Sequence, residues 1–211
     1  MRKLIAIIVV VLAVLPQFNL FGQEVDETGL FLSVHGCAFW STSGTHGEFY
    51  GKKAHGAFGV GVGSRRSHKL TAFAYVTYHP SIKGILSYVV EVGYPPYRYE
   101  MPRRQREIRM WLANIGVEFQ ILSVGSLSIG ANVGAVAGLS TEEVPNSYSY
   151  KESNTTGVVG LLVGPTANIR IEGTPMAIFL AAHYRYAPSL NSIQHDDNSG
   201  VPLLLGLRCD I

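Results

Sequence analysis

The sequence predicts an all-β chain closed into an antiparallel up-and-down transmembrane barrel, and three observations predict it. First, Leu127, Ile129, Ala131, Val133, Ala135, Ala137 and Leu139 alternate with Ser128, Gly130, Asn132, Gly134, Val136 and Gly138, the period of two that defines a strand with two unlike faces. Second, the partner faces of several such segments carry Asn, Gln, Glu, Arg and His at mid-strand. An apolar outside around a polar inside is the pattern of a barrel in lipid. Third, counted back from the C-terminus, long polar loops at 191–200, 140–156 and 95–107 alternate with short turns at 173–176, 123–126 and 79–84. Bacterial outer-membrane barrels sort their connections in this way, with short turns on the periplasmic side and longer loops outside.

The elements follow in order. Gly29 to Trp40 reads as a strand with Leu30, Leu32, Val34, Ala38 and Trp40 on one face, followed by a polar loop to Lys53. Gly56 to Gly63 and Leu70 to Tyr78 are strand-like, separated by Ser64 to Lys69. After an expected turn at His79 to Gly84, Ile85 to Tyr94 aligns Leu86, Tyr88, Val90, Val92 and Tyr94 on one face, and Pro95-Pro96 ends it. Ile108 to Ile121 opposes Trp111, Ala113, Ile115, Val117, Phe119 and Ile121 to Asn114, Gly116, Glu118 and Gln120. Beyond the strand from Leu127, Val158 to Glu172, Ile178 to Tyr186 and Val201 to Ile211 complete the set. Taken separately these segments number nine, whereas an even number is expected. Either residues 54–78 form one long or bulged strand, or one segment belongs to a loop. The expectation is eight strands, with ten as the alternative.

Ahead of the strands, Arg2 and Lys3 precede the apolar run Leu4 to Leu15. A basic start and about a dozen apolar residues describe a cleaved secretory signal peptide over residues 1–23; a spanning helix needs about 20. Residues 24–211 then form one barrel domain. Without Arg2 and Lys3, the 17 basic residues become 15, against 15 acidic. A balance near neutral gives a nucleic-acid partner no electrostatic support. Cys37 shares a face with Ser33 and His35, and Cys209 with Leu203, Leu205 and Leu207. Opposed faces argue against a disulfide, so two free thiols are expected.

The expected lumen network comprises Glu91, Asn114, Glu118, Gln120, Arg170, His183, Arg185 and Arg208, with Asn132, Asn168 and Asp210 on the same faces. An eight-stranded barrel is only wide enough for side chains to fill it, so carboxylates and guanidiniums are expected to satisfy one another there. A plugged lumen follows, and a nutrient porin does not fit. Trp40, Tyr78, Tyr94, Trp111, Tyr184 and Tyr186 near strand ends are expected at the lipid–water interfaces.

Phe21-Gly22-Gln23 at the end of the leader, the Gly-rich amphipathic strands, the stretch His183 to Ile193 and the closing strand Pro202 to Arg208 give the chain a resemblance to a family. It resembles the outer membrane β-barrel domain proteins of Bacteroidetes-type bacteria, themselves similar to the small OmpA and OmpX barrels. Such barrels usually end in an aromatic residue, whereas this chain ends in Ile211. The resemblance implies an outer-membrane location and no uniform activity.

The leading expectation is therefore a structural or surface-interaction barrel. Its partners would be outer-membrane lipids, the barrel assembly machinery and a ligand outside the cell met by loops 95–107 and 140–156. One alternative is an envelope-lipid hydrolase or acyltransferase using His183 with Ser189 or Glu118; such chemistry needs a Ser–His–acid set. The other is a secreted soluble β-protein with a polar ligand cavity. His35 has no accompanying serine motif, and His46, His55, His68, His79 and His195 lack metal-ligand spacing. Asp196-Asp197-Asn198 reads as a solvated loop tip, and GVGVG at 59–63 has no helix after it. No cofactor is expected.

Overall fold

The computed structural model describes residues 29–42, 54–67, 69–86, 89–92, 97–100, 104–145, 151–188, 190 and 198–211. The expected signal peptide lies outside them. Among the described residues there are eleven strands: β1 (Leu30–Ser41), β2 (His55–Arg65), β3 (Leu70–Leu86), β4 (Val89–Val92), β5 (Tyr97–Glu100), β6 (Arg104–Val124), β7 (Leu127–Pro145), β8 (Lys151–Arg170), β9 (Met176–Ala182), β10 (Tyr184–Tyr186) and β11 (Gly200–Asp210). Each neighbouring pair in the large sheet is antiparallel, and β1 pairs both β2 and β11, which closes the wall. β9 and β10 form one interrupted barrel strand, so the wall has eight.

The interruption has a chemical cause. His183 donates its backbone N–H to the Pro202 carbonyl at 3.1 Å, but the imide nitrogen of Pro202 has no hydrogen to return. One ladder bond is missing, and the strand breaks at that residue.

Eight strands are found, but not by the expected division. Ser64 and Arg65 belong to β2, and only residues 66–69 join it to β3: Arg66 donates its N–H to the Leu70 carbonyl at 2.8 Å, and the Ser67 hydroxyl accepts from the Leu70 N–H at 3.1 Å. The expected turn at 79–84 is instead part of β3. The register against β6 passes from His79↔Met110 to Ile82↔Ile108, one extra residue on β3, a bulge. Pro80 lies within that bulge, where a missing N–H costs no ladder bond. The segment 85–94 is not a barrel strand either; Val89–Val92 pairs with Tyr97–Glu100 in a separate two-stranded sheet. The loop expected at 140–156 is mostly hairpin, paired as far as Pro145↔Lys151.

With these corrections one end of the barrel carries only short connections, of two to five residues. The short ones join β2 to β3, β6 to β7 and β8 to β9. The tightest is Gly125-Ser126, where Gly125 has φ 57°, a value open to glycine at little cost. Gly173 (φ 73°) plays the same part after β8.

Inside, bulky side chains meet glycines on the neighbouring strand. Phe31 lies over Gly63, His35 over Gly59, Phe39 over Gly200 and Phe179 against Gly206. The Gly-rich strands thus leave room for aromatic rings in a narrow lumen. Gly63→Val is expected to destabilise the barrel by about 1–3 kcal/mol through overpacking against Phe31. Denaturant unfolding checks it, with Gly36→Ala as reference. A side chain at the outward-facing Gly36 meets nothing within 4 Å, and a change within about 0.5 kcal/mol is expected.

Candidate functional site

The lumen is stratified. At the short-turn end, Glu118 of β6 is 6% exposed. Its carboxylate accepts from Asn168 Nδ2 at 2.7 Å and from Arg208 Nη2 at 2.8 Å, and Arg208 Nη1 donates to Asn168 Oδ1 at 2.8 Å. The guanidinium is also held against the rings of Phe31 (5.0 Å) and Phe179 (4.7 Å), a cation–π arrangement strengthened by desolvation. Three strands are thereby tied across the lumen by charge-assisted bonds.

The middle layer centres on His183. Asn132 Nδ2 lies 2.8 Å from its Nε2, and the Tyr75 hydroxyl lies 3.2 Å from its Nδ1. A neutral imidazole donates at one nitrogen and accepts at the other. Turning the Asn132 amide so that Oδ1 faces Nε2 lets Nε2–H donate to it while the Tyr75 hydroxyl donates to Nδ1. That orientation also gives a partner to Oδ1, which otherwise has none. His35 stands edge-on to Tyr75 at 5.2 Å and shares a hydrogen bond with the Thr77 hydroxyl at 3.3 Å. A cavity of about 20 Å³ is enclosed here, room for one water.

Toward the long-loop end the lumen is largely apolar. Phe39, Ile82, Ile108, Met110, Leu112, Val136, Val158, Leu162 and Leu204 are all at most 2% exposed. A polar interior was the expectation; the hydrogen-bonded network of Glu118, Asn168, Arg208, Asn132 and His183 instead occupies the lower part, and the buried polar groups above it, among them Thr77, His79, Ser140 and Ser199, are set among apolar side chains. Arg185 is the charged residue set in the apolar part, 3% exposed, stacked on Phe39 at 4.4 Å and donating from Nε to the Asn198 carbonyl at 3.3 Å.

The expected lumen residues therefore separate. Glu118 and Arg208 are brought together, His183 and Arg185 are buried above them, and Asn114 donates to the Leu112 carbonyl at 3.4 Å. Gln120 and Arg170 sit at the short-turn mouth, where Arg170 is exposed. Glu91 does not belong to the wall: it is on β4, opposite Arg98 in the separate hairpin. Glu118 hydrogen-bonds Asn168 and Arg208, not His183, and Ser189 lies outside the described residues. Cys37 is buried in the lumen and Cys209 is exposed outside, both free.

Among the aromatics, Trp40, Trp111, Tyr184 and Tyr186 point outward, 38–53% exposed. Tyr78 stacks on Trp111 at 4.2 Å. All five lie toward the long-loop end of their strands, forming one girdle rather than two; Tyr94 is outside the described residues. Just beyond Trp111, Arg109 bridges Glu107 (3.0 Å) and Glu143 (3.3 Å). The hydrogen bond from Arg109 holds the Glu107 carboxyl below the usual carboxylate range.

The sequence reading missed Tyr75 and the inward rings of Phe31, Phe39, Phe73 and Phe179. Their signal was the run of glycines facing them: Gly59, Gly61 and Gly63 lie opposite Thr77, Tyr75 and Phe73.

No family model matches the sequence, and no curated protein matches it. Solved structures resemble it in fold. A major outer membrane protein from Thermus thermophilus aligns with a TM-score of 0.52 at 9% identity, covering 86% of this chain and 99% of that one. OprG of Pseudomonas aeruginosa aligns at 0.48 and 8%, covering 89% and 98%. Neisserial surface protein A aligns at 0.47 and 13%, covering 86% and 97%. The chain is an all-β, antiparallel, closed eight-stranded barrel of the kind seen in small outer-membrane proteins.

Proposed function

We propose that this chain is a small outer-membrane barrel with a plugged lumen, and that its role is structural or one of surface interaction through the long-loop end. The observation that carries the reading is the outer face. Leu32, Val34, Phe58, Val60, Val133, Leu161, Val163, Leu180, Leu205 and Leu207 are 36% or more exposed on a closed wall, a patch far larger than a soluble monomer leaves in water. From Leu127 to Leu139 this face runs about 40 Å along the strand, or about 30 Å along a barrel axis tilted by about 40°. The apolar band of such barrels is about 25 Å tall. The layer from Phe39 to Leu204 is the plug, because its packed rings and aliphatic chains offer little to replace the hydration of a passing ion. The lipids of that membrane and the assembly machinery would be its partners, with residues 1–23 removed on export. Among the described residues, the hairpin β4–β5, which stands apart from the wall, is the part offered outside.

Expressed in a Gram-negative host, the protein is expected in the outer-membrane fraction, migrating faster on gels before boiling than after. In planar bilayers it is expected to give no steady conductance. A soluble, unshifted protein would refute the membrane reading, and well-defined channels would refute the plug.

A further inference from the structure

We propose that the lumen mouth at the short-turn end binds a phosphate-sized oxyanion. Its walls are built by all eight barrel strands around a cavity of about 50 Å³, several times the space one water needs. Three guanidiniums, Arg65, Arg170 and Arg208, face two carboxylates, Glu118 and Asp210, leaving one positive charge in excess. Glu118 is already committed on both oxygens, to Asn168 and Arg208. Asp210 reaches Arg65 at only 3.5 Å. The buried Nε of Arg208 has no partner among the described residues. The Arg170 side chain likewise makes no hydrogen bond or ion pair among them.

The Nε of Arg208 and the whole Arg170 guanidinium thus have no protein acceptor among the described residues, Arg65 has only a long one, and the excess positive charge sets the ligand's sign. A cation would meet surplus positive charge. Water would satisfy single N–H groups without balancing it. An oxyanion accepts from several planar guanidinium forks at once. Phe31 and Phe179 fix the Arg208 plane, so one wall of the site is ordered before any ligand arrives. The inference needs only the folded barrel; the reading as an outer-membrane protein decides merely which compartment supplies the anion.

The test uses full-length mature protein in phosphatidylcholine nanodiscs, titrated with inorganic phosphate while the arginine Nε–H resonances are followed. Chloride at matched ionic strength is the reference. A saturable movement of the Arg208 and Arg170 signals with phosphate alone is expected. Arg170→Gln and Arg65→Gln should each weaken it about tenfold or more, and Arg109→Gln, at the opposite end, should not. No saturable movement in the wild-type protein, or the same movement with chloride, overturns the proposal. In phosphatidylglycerol nanodiscs without phosphate, a shifted Arg208 signal supports the site and assigns it to a lipid headgroup. An unshifted one, with the phosphate response intact, supports a free anion.

Discussion

Glu118→Ala is expected to lower the unfolding free energy of the barrel by about 3–5 kcal/mol, because it leaves the Arg208 guanidinium in the lumen without its anion. The pair is 2.8 Å apart, with the Arg208 and Glu118 side chains 15% and 7% exposed, so water entering from the mouth replaces the lost contact only in part. Asn168 loses an acceptor as well. The double variant Glu118→Met with Arg208→Met should recover most of the loss, since an apolar pair removes both desolvation costs together. Asp210→Asn is the internal contrast: its 3.5 Å contact with Arg65 is between side chains 43% and 28% exposed, and such pairs are worth about 0–1 kcal/mol. Denaturant unfolding in detergent or lipid, followed by the fluorescence of Trp40 and Trp111, reads the wild-type protein and all three variants. A Glu118→Ala cost no larger than that of Asp210→Asn would mean that the lumen is wet and the pair is screened.

The same residues show what a sequence can and cannot reveal. Strand parity placed Glu118, Asn168 and Arg208 on inward faces, because alternation is a local property of the backbone. That they meet is not local: Arg208 and Glu118 are 90 residues apart in the chain, and barrel closure and register bring them together. Pro80 misled for a different reason. His79-Pro80-Ser81 has the composition of a turn, and only the pairing of β3 with β6 reveals a bulge. Removing that false turn moves the hairpin Val89–Glu100 out of the wall and restores the even count.

The apolar upper lumen did leave a trace. Val158-Val159, Leu161-Leu162-Val163 and Leu203-Leu204-Leu205 break strict alternation, as strands do when both faces are dry. Lipid covers one face in the proposed reading and the packed lumen covers the other. The lower half, where Asn132 and Asn168 alternate with Val133 and Ile169, keeps the clean period because only one face is apolar. Hydropathy along β7, β8 and β11 therefore records the stratification of the lumen as well as the position of the belt.

Val133→Arg separates lipid from water as the surroundings of that belt, since the two give unlike results for one substitution. Val133 is 47% exposed, pairs with Val117 and Val163, and lies six residues from each end of the Leu127–Leu139 face. In a bilayer it is near the midplane, where an arginine on the lipid face of a barrel costs about 2–4 kcal/mol. In water an exposed Val→Arg change is worth within about 0.5 kcal/mol. The expected result is the large loss when unfolding is measured in phospholipid vesicles. Leu127→Arg, at the turn-end rim, should cost only about 0–1 kcal/mol by the same depth dependence. The gradient between these positions is the discriminating quantity. Both side chains stand on the outer face of one strand, so a depth-dependent difference comes from the solvent. Equal costs at Val133 and Leu127 would mean that no hydrocarbon layer surrounds the wall, and the apolar face would then have to be covered by protein.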